Sequence, residues 1–259
     1  MIEVEAFVKR YGDFVAVAGT SFCIPVGSVA ALVGPNGAGK TTTIRTLCGI
    51  LRPTAGRLRV AGADLAVDPL LVKQRTAYVP DDPPLFDTLT VWEHLQFIAS
   101  AYRLTDWQGD GDGLLSRFSL SDKKNTLASE LSRGMRQKVA IACAYLRSPD
   151  VLLLDEPMTG LDPPSIRILK DSIREQSQRG ATVLVSSHLL SLVDDLCDFL
   201  VLIRQGRVLF SGPLEEARAQ FGGASRSLEE VFFRLTGQEE PNAPEADELT
   251  PGEQASGDD

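Results

Sequence analysis

The chain has 259 residues, 43% apolar and 24% charged, ordinary proportions for a soluble globular protein. No apolar run approaches the roughly 18 to 20 residues needed to cross a bilayer, so any membrane role must run through a partner. The net charge of −9 sits at one end: residues 238–259 hold eight Asp or Glu and no Lys or Arg, leaving 26 basic against 27 acidic side chains elsewhere.

The opening MIEVEAFVKR lacks the basic start and apolar run of a secretion signal, and the chain is expected in the cytoplasm. Its alternation of Ile2, Val4, Ala6 and Val8 predicts a strand with one buried face. From Ser28 onward apolar runs alternate with helical patterns. VAALVG leads through a Gly-rich turn to a helix over 40–49. Later, VLLLDEP precedes a helix over 163–179, and ATVLVSSH precedes one over 189–196. This rhythm predicts an α/β fold, with a parallel sheet covered by helices on both faces and ligands at the carboxyl ends of its strands.

Between 90 and 146 the pattern is helical only and reads as an insertion. It opens on Thr90-Val91-Trp92-Glu93, a capping box followed by Leu95, Ile98 and Ala99. Its middle, DWQGDGDG at 106–113, reads as a loop, and His94 reads as surface. Cys23, Cys48, Cys143 and Cys197 stand singly among apolar neighbours, without zinc or disulfide spacing, and read as small core residues. Residues 227–236 read as a closing helix. The acidic, Pro-rich segment 238–259 cannot bury enough surface to offset its ordering entropy and reads as a disordered tail.

The strongest chemical signal is Gly34-Pro35-Asn36-Gly37-Ala38-Gly39-Lys40-Thr41, between a predicted strand and a predicted helix. Glycines let the backbone approach phosphates, consecutive N–H groups and the helix N-terminus supply partial positive charge, and Lys40 reaches the terminal phosphates. Thr41 is placed to ligate magnesium. Asp155 and Glu156 end a buried strand beside that loop. Two acids beside phosphates make sense with magnesium: Asp155 as a metal ligand, directly or through water, and Glu156 to polarise the attacking water. His188 ends another apolar strand at the same edge, where a donor can reach the terminal phosphate and the water. Ser132 and Gly134 open a helix whose apolar face carries Val139, Ala142, Cys143 and Leu146. Ser132 is either a plain cap or part of a second anion site.

The ordered set GPNGAGKTT at 34–42, LSRGMRQ at 131–137, VLLLDEP at 151–157, Gly160-Leu161-Asp162 and His188 resembles the ATPase subunit of ABC transporters, over roughly residues 2–237. The resemblance implies a P-loop NTPase of ABC type: a mainly parallel core with an N-terminal antiparallel β part and a helical subdomain at about 88–147, one ATPase domain over 1–237. It implies ATP and Mg2+ as cofactors, and a head-to-tail pair of ATPase subunits, identical or not. ATP then lies between residues 34–42, Thr42 included, of one subunit and Ser132, Gly134 and Met135 of the other. Tyr11 takes the place of an aromatic ring set against adenine, and Asp162, besides capping its helix, touches the opposite site. The implied partner is a separate multi-span membrane permease, which would hold the chain at the inner face of the cell membrane.

Two departures stand out. Arg133 and Met135 replace a glycine and the glutamine of the usual LSGGQ. In Tyr78-Val79-Pro80-Asp81, Asp81 replaces a glutamine that touches magnesium and senses the permease, and it is expected to bind the metal through water. The permease-facing surface is expected over 83–102, with Leu85, Phe86, Trp92, Phe97 and Tyr102. Segment 227–236 resembles the closing helix of bacterial exporter ATPases, which points to export. The alternative, a soluble ABC-type ATPase acting on ribosomes or nucleic acid, is disfavoured by the single domain and the near-neutral body, and no nucleic-acid partner is expected.

Overall fold

The apolar runs place their side chains in two cores, one on each face of a central sheet. A computed structural model describes residues 1–188, 190–221 and 228–236, so the expected tail at 238–259, with Leu189, Ser227 and Gly237, lies outside the described residues. The first part of the chain runs through β1 (Ile2–Tyr11), β2 (Phe14–Ile24), β3 (Val29–Val33), α1 (Lys40–Leu47), β4 (Ala55–Val60), β5 (Ala63–Asp64), α2 (Pro69–Arg75) and β6 (Thr76–Val79). Helices α3 (Val91–Tyr102), α4 (Gln108–Arg117) and α5 (Arg133–Leu146) follow. It continues through β7 (Val151–Asp155), α6 (Pro163–Gln178), β8 (Thr182–Ser187), α7 (Leu190–Val193), β9 (Phe199–Arg204), β10 (Arg207–Pro213), α8 (Leu214–Phe221) and α9 (Leu228–Thr236).

The central six-stranded sheet has the order β10-β9-β3-β8-β7-β6, parallel except for the β9/β10 pair. Strands β3, β7 and β8 are buried along their whole length. Their side chains alternate between the cores: Val29, Ala31, Val33, Leu152 and Leu154 pack with α3, α5 and α6, while Ala30, Leu32, Val151 and Leu153 pack with α1 and the N-terminal strands. Continuous apolar runs are what a sheet covered on both faces requires. A second, antiparallel sheet of order β2-β1-β4-β5 closes the latter core. Among the described residues no helix is long and apolar enough to cross a membrane.

Four expectations need correction. In β1 the alternation breaks at Ala6, which has φ 46° at a bulge, so Phe7 rather than Val8 enters the core. The irregularity there puts Phe7 on the buried face, and the register with β2 shifts again beyond it. Residues 108–117, read largely as loop, form helix α4 despite Gly109, Gly111 and Gly113. Each glycine costs a helix about 1 kcal/mol, but Leu115 is fully buried and Gly111 lets two indoles close over the helix: Trp92 and Trp107 have ring centroids 4.8 Å apart. His94 is buried rather than on the surface: Nδ1 lies 2.7 Å from the Thr90 carbonyl, and Nε2 accepts from the Phe86 N–H at 3.0 Å. Cys23 is exposed, whereas Cys48, Cys143 and Cys197 are core. The capping box at Thr90 and Glu93 forms as read.

The glycines of α4 should respond to alanine with opposite signs. A Cβ at Gly111 would meet Trp107 at 3.1 Å and Trp92 at 3.2 Å, whereas Gly109 and Gly113 face open space. Gly109→Ala and Gly113→Ala should each stabilise by about 0.5 to 1 kcal/mol, and Gly111→Ala should destabilise by about 1 kcal/mol through overpacking. Denaturant midpoints of the three variants check this.

Candidate active site

Residues 34–39 leave the carboxyl end of β3 and enter α1 through Gly39, whose φ is 104° and which gives the helix no side-chain cap. Neighbouring backbone enforces the glycines: a Cβ would sit 2.7 Å from the Ala16 carbonyl at Gly39 and 2.2 Å from the Ile203 carbonyl at Gly34. The uncapped N–H groups of the first turn, at the positive end of the helix dipole, suit an anion. Lys40 is buried; its Nζ donates to the Gly34 carbonyl at 2.7 Å and the Pro35 carbonyl at 3.4 Å, and lies 3.9 Å from Glu156 Oε1. Burial pulls its pKa below the usual lysine value, with Glu156 and Asp155 opposing that shift.

Strands β7 and β8 run in register, pairing Asp155 with Ser186. The buried Ser186 hydroxyl donates to Asp155 Oδ1 at 2.5 Å and accepts from the Glu156 N–H at 3.1 Å. That N–H also lies 3.2 Å from the Ser186 carbonyl. Glu156 has φ 50°, a strained value for a non-glycine residue. So held, its carboxylate lies 2.9 Å, through Oε2, from His188 Nδ1.

A cavity of about 450 Å³ gathers Asn36, Gly37, Ala38, Gly39, Lys40, Thr41, Thr42, Asp81, Glu156, Thr159 and His188 with Phe14 and Ala16. Most of the expected site therefore converges in one place. Asp155 does not line this cavity; it is buried behind Glu156, on Ser186. Tyr11 does not line it either, whereas Phe14, its cross-strand partner, does and is 65% exposed. Ser132, Gly134 and Met135 are also absent from the lining. Ser132 N-caps α5, accepting from the Met135 N–H at 3.3 Å. Asp81 accepts from Arg133 Nη2 at 2.8 Å.

Sequence reasoning missed Phe14, Ser186, Thr159 and the Arg133 partner of Asp81. Only strand register, hairpin geometry or a contact between distant segments reveals them. A second, apolar groove of about 420 Å³ lies among Pro83, Pro84, Leu85, Phe86, Phe97, Tyr102 and the flank of α5. Trp92 is not part of it, being covered by Trp107 and by Lys124, whose Nζ lies 3.5 Å above the indole.

A Gly-rich turn joining a parallel strand to a helix, with a buried lysine and a carboxylate–imidazole pair across one cavity, defines a P-loop nucleoside triphosphatase. The family model described as ABC transporter matches residues 17–159. The chain is 34% identical over 238 residues to the ABC-type transporter ATP-binding protein EcsA of Bacillus subtilis (strain 168), covering 91% of this chain and 96% of that protein. It is 36% identical over 239 residues to the daunorubicin resistance ATP-binding protein DrrA3 of Streptomyces coeruleorubidus, covering 92% and 75%. A solved ATP-binding subunit of an ABC transporter superimposes with a TM-score of 0.86 at 36% identity, covering 91% of this chain and 99% of that one. The chain belongs to the ABC transporter family as an ATP-binding subunit, and it hydrolyses ATP to power transport.

Ser186→Ala should take from Asp155 its hydroxyl donor and leave the Glu156 N–H with the Ser186 carbonyl alone. Steady-state ATPase assays should show kcat reduced by roughly tenfold or more through misplacement of Glu156, and stability should fall by about 1 to 3 kcal/mol. Ser186→Thr, which keeps the hydroxyl, should recover most of the activity.

Proposed function

We propose that two chains, or this chain and a related one, pair head-to-tail, so that each nucleotide lies between residues 34–42 of one subunit and Ser132, Gly134 and Met135 of the other. The observation that carries this reading is the division of the site. The cavity holds the phosphate loop, Glu156 and His188, while the signature turn at 132–135 lines none of it. A single chain thus presents the phosphate loop's side of the expected site and not the signature turn's. Glu156, 2.9 Å from His188, acts as the base that polarises the attacking water, and His188 offers a donor to the terminal phosphate.

The donor set suits magnesium: Thr41 lines the cavity and would be a ligand, and Asp155, buried on Ser186 outside the lining, would act through water. Among the described residues no three His, Cys, Asp or Glu side chains form a metal cage. Bound there, magnesium would neutralise charge on the terminal phosphates. Lys40 binds those phosphates, and Phe14, with Tyr11 beside it on the hairpin, offers an aromatic surface to the base. The apolar groove, with Phe86 and Phe97 about half exposed, is the permease-facing surface, holding the chain at the inner face of the membrane. Similarity to a Nod factor export ATP-binding protein and to a peptide export ATP-binding protein supports export as the direction.

Turnover per chain, followed as chain concentration is raised from nanomolar to micromolar, tests the pairing. A rise to a plateau, matched by ATP-dependent dimer in sedimentation, is expected. Constant turnover at concentrations where sedimentation shows only monomer would remove the shared site.

A further inference from the structure

Residues 80–87 run from the nucleotide cavity, at Asp81, to the apolar groove, at Phe86. The first turn of α5 grips this segment twice. Arg133 Nη2 donates to Asp81 Oδ1 at 2.8 Å, and Arg136 Nη1 donates to Asp87 Oδ1 at 3.1 Å and to the Ala128 carbonyl at 2.9 Å. The stem of Arg133 also lies over Gly160, where a Cβ would be 3.5 Å from its Cδ. One side chain therefore touches the turn after β7 and the segment after β6 while belonging to the signature turn.

Asp81 faces two ways: it is a wall of the cavity with Lys40, Thr41 and Glu156, and it is the partner of Arg133. A guanidinium already bonded to a carboxylate competes with any second cation for the same charge. We propose that Arg133 is a positioning residue that competes with nucleotide-bound magnesium for Asp81, so that engagement of Asp81 by the metal releases Arg133 within the signature turn. The proposal rests on the magnesium reading of the site and not on the head-to-tail pair. With Asp81 on Arg133, the segment is pinned to the start of α5. With Asp81 drawn toward the metal, the turn carrying Ser132 and Gly134 loses that tie. Linkage makes the antagonism reciprocal: whatever favours the pair weakens magnesium, and magnesium weakens the pair. The joint departure of both positions from the usual motif follows, since an aspartate here has an arginine to answer it.

The test is the magnesium concentration for half-maximal binding of a fluorescent ATP analogue to the full chain. It is measured for the parent, Arg133→Ala, Arg133→Lys, Asp81→Asn and the Arg133→Ala/Asp81→Asn double variant, at low and high salt. Because both side chains are about half exposed, the expected effect is modest: at low salt Arg133→Ala lowers the half-saturating concentration about two- to fivefold, and high salt shrinks the difference. Arg133→Lys should stay near the parent. Asp81→Asn should raise the value, and in that background Arg133→Ala should change nothing. An unchanged Arg133→Ala, or an equal shift with and without Asp81, overturns the proposal. Nucleotide binding by the parent that ignores magnesium would instead overturn the magnesium reading beneath it.

Discussion

At the carboxyl ends of β7 and β8, the Ser186 hydroxyl donates to Asp155 and accepts from the Glu156 N–H, which also meets the Ser186 carbonyl, and the placement of the Glu156 carboxylate depends on these bonds to Ser186. Glu156 sits at φ 50°, a conformation that costs a non-glycine residue about 1 to 3 kcal/mol and persists only where its surroundings over-determine it. The parallel register that sets Asp155 opposite Ser186 supplies that determination. From there the Glu156 side chain turns toward Lys40 and His188. A rigid sheet core thus holds the reacting groups, and loops complete the cavity around them.

The electrostatics of the site follow from burial. Lys40 is a cation removed from water, its pKa pulled down by that removal, and the Gly34 and Pro35 carbonyls and the nearby Glu156 and Asp155 compensate it. The adjoining helix N-terminus adds positive potential from Gly39 onward, with no side chain spent on capping it. The uncapped first turn of α1 and Lys40 border one cavity, an arrangement that suits a polyanion.

Much of this was legible in the sequence, and the boundary between legible and hidden is physical. Residues 34–41 carry their chemistry contiguously, so strand, turn and helix could be read with their purpose, and the capping box at Thr90 is equally local. Ser186, Phe14 and the Arg133 partner of Asp81 act across 31, 22 to 28 and 52 residues, distances that a one-dimensional pattern does not span. The misreadings come from packing and backbone geometry that residue patterns do not carry. The bulge at Ala6 shifts a correct alternation by one residue, paired indoles over Gly111 override weak helix propensity in α4, and His94 is buried where the turn before its helix folds back and donates to it from Phe86.

We propose Glu156 as the base, held through its N–H by Ser186 and 2.9 Å from His188. Glu156→Gln keeps the shape and removes the charge, so single-turnover hydrolysis and ATP binding measured on that variant separate chemistry from capture. The expected result is hydrolysis slowed by about 10²- to 10⁴-fold with ATP still bound and the ATP-loaded pair accumulating. Hydrolysis at the parent rate would contradict the account.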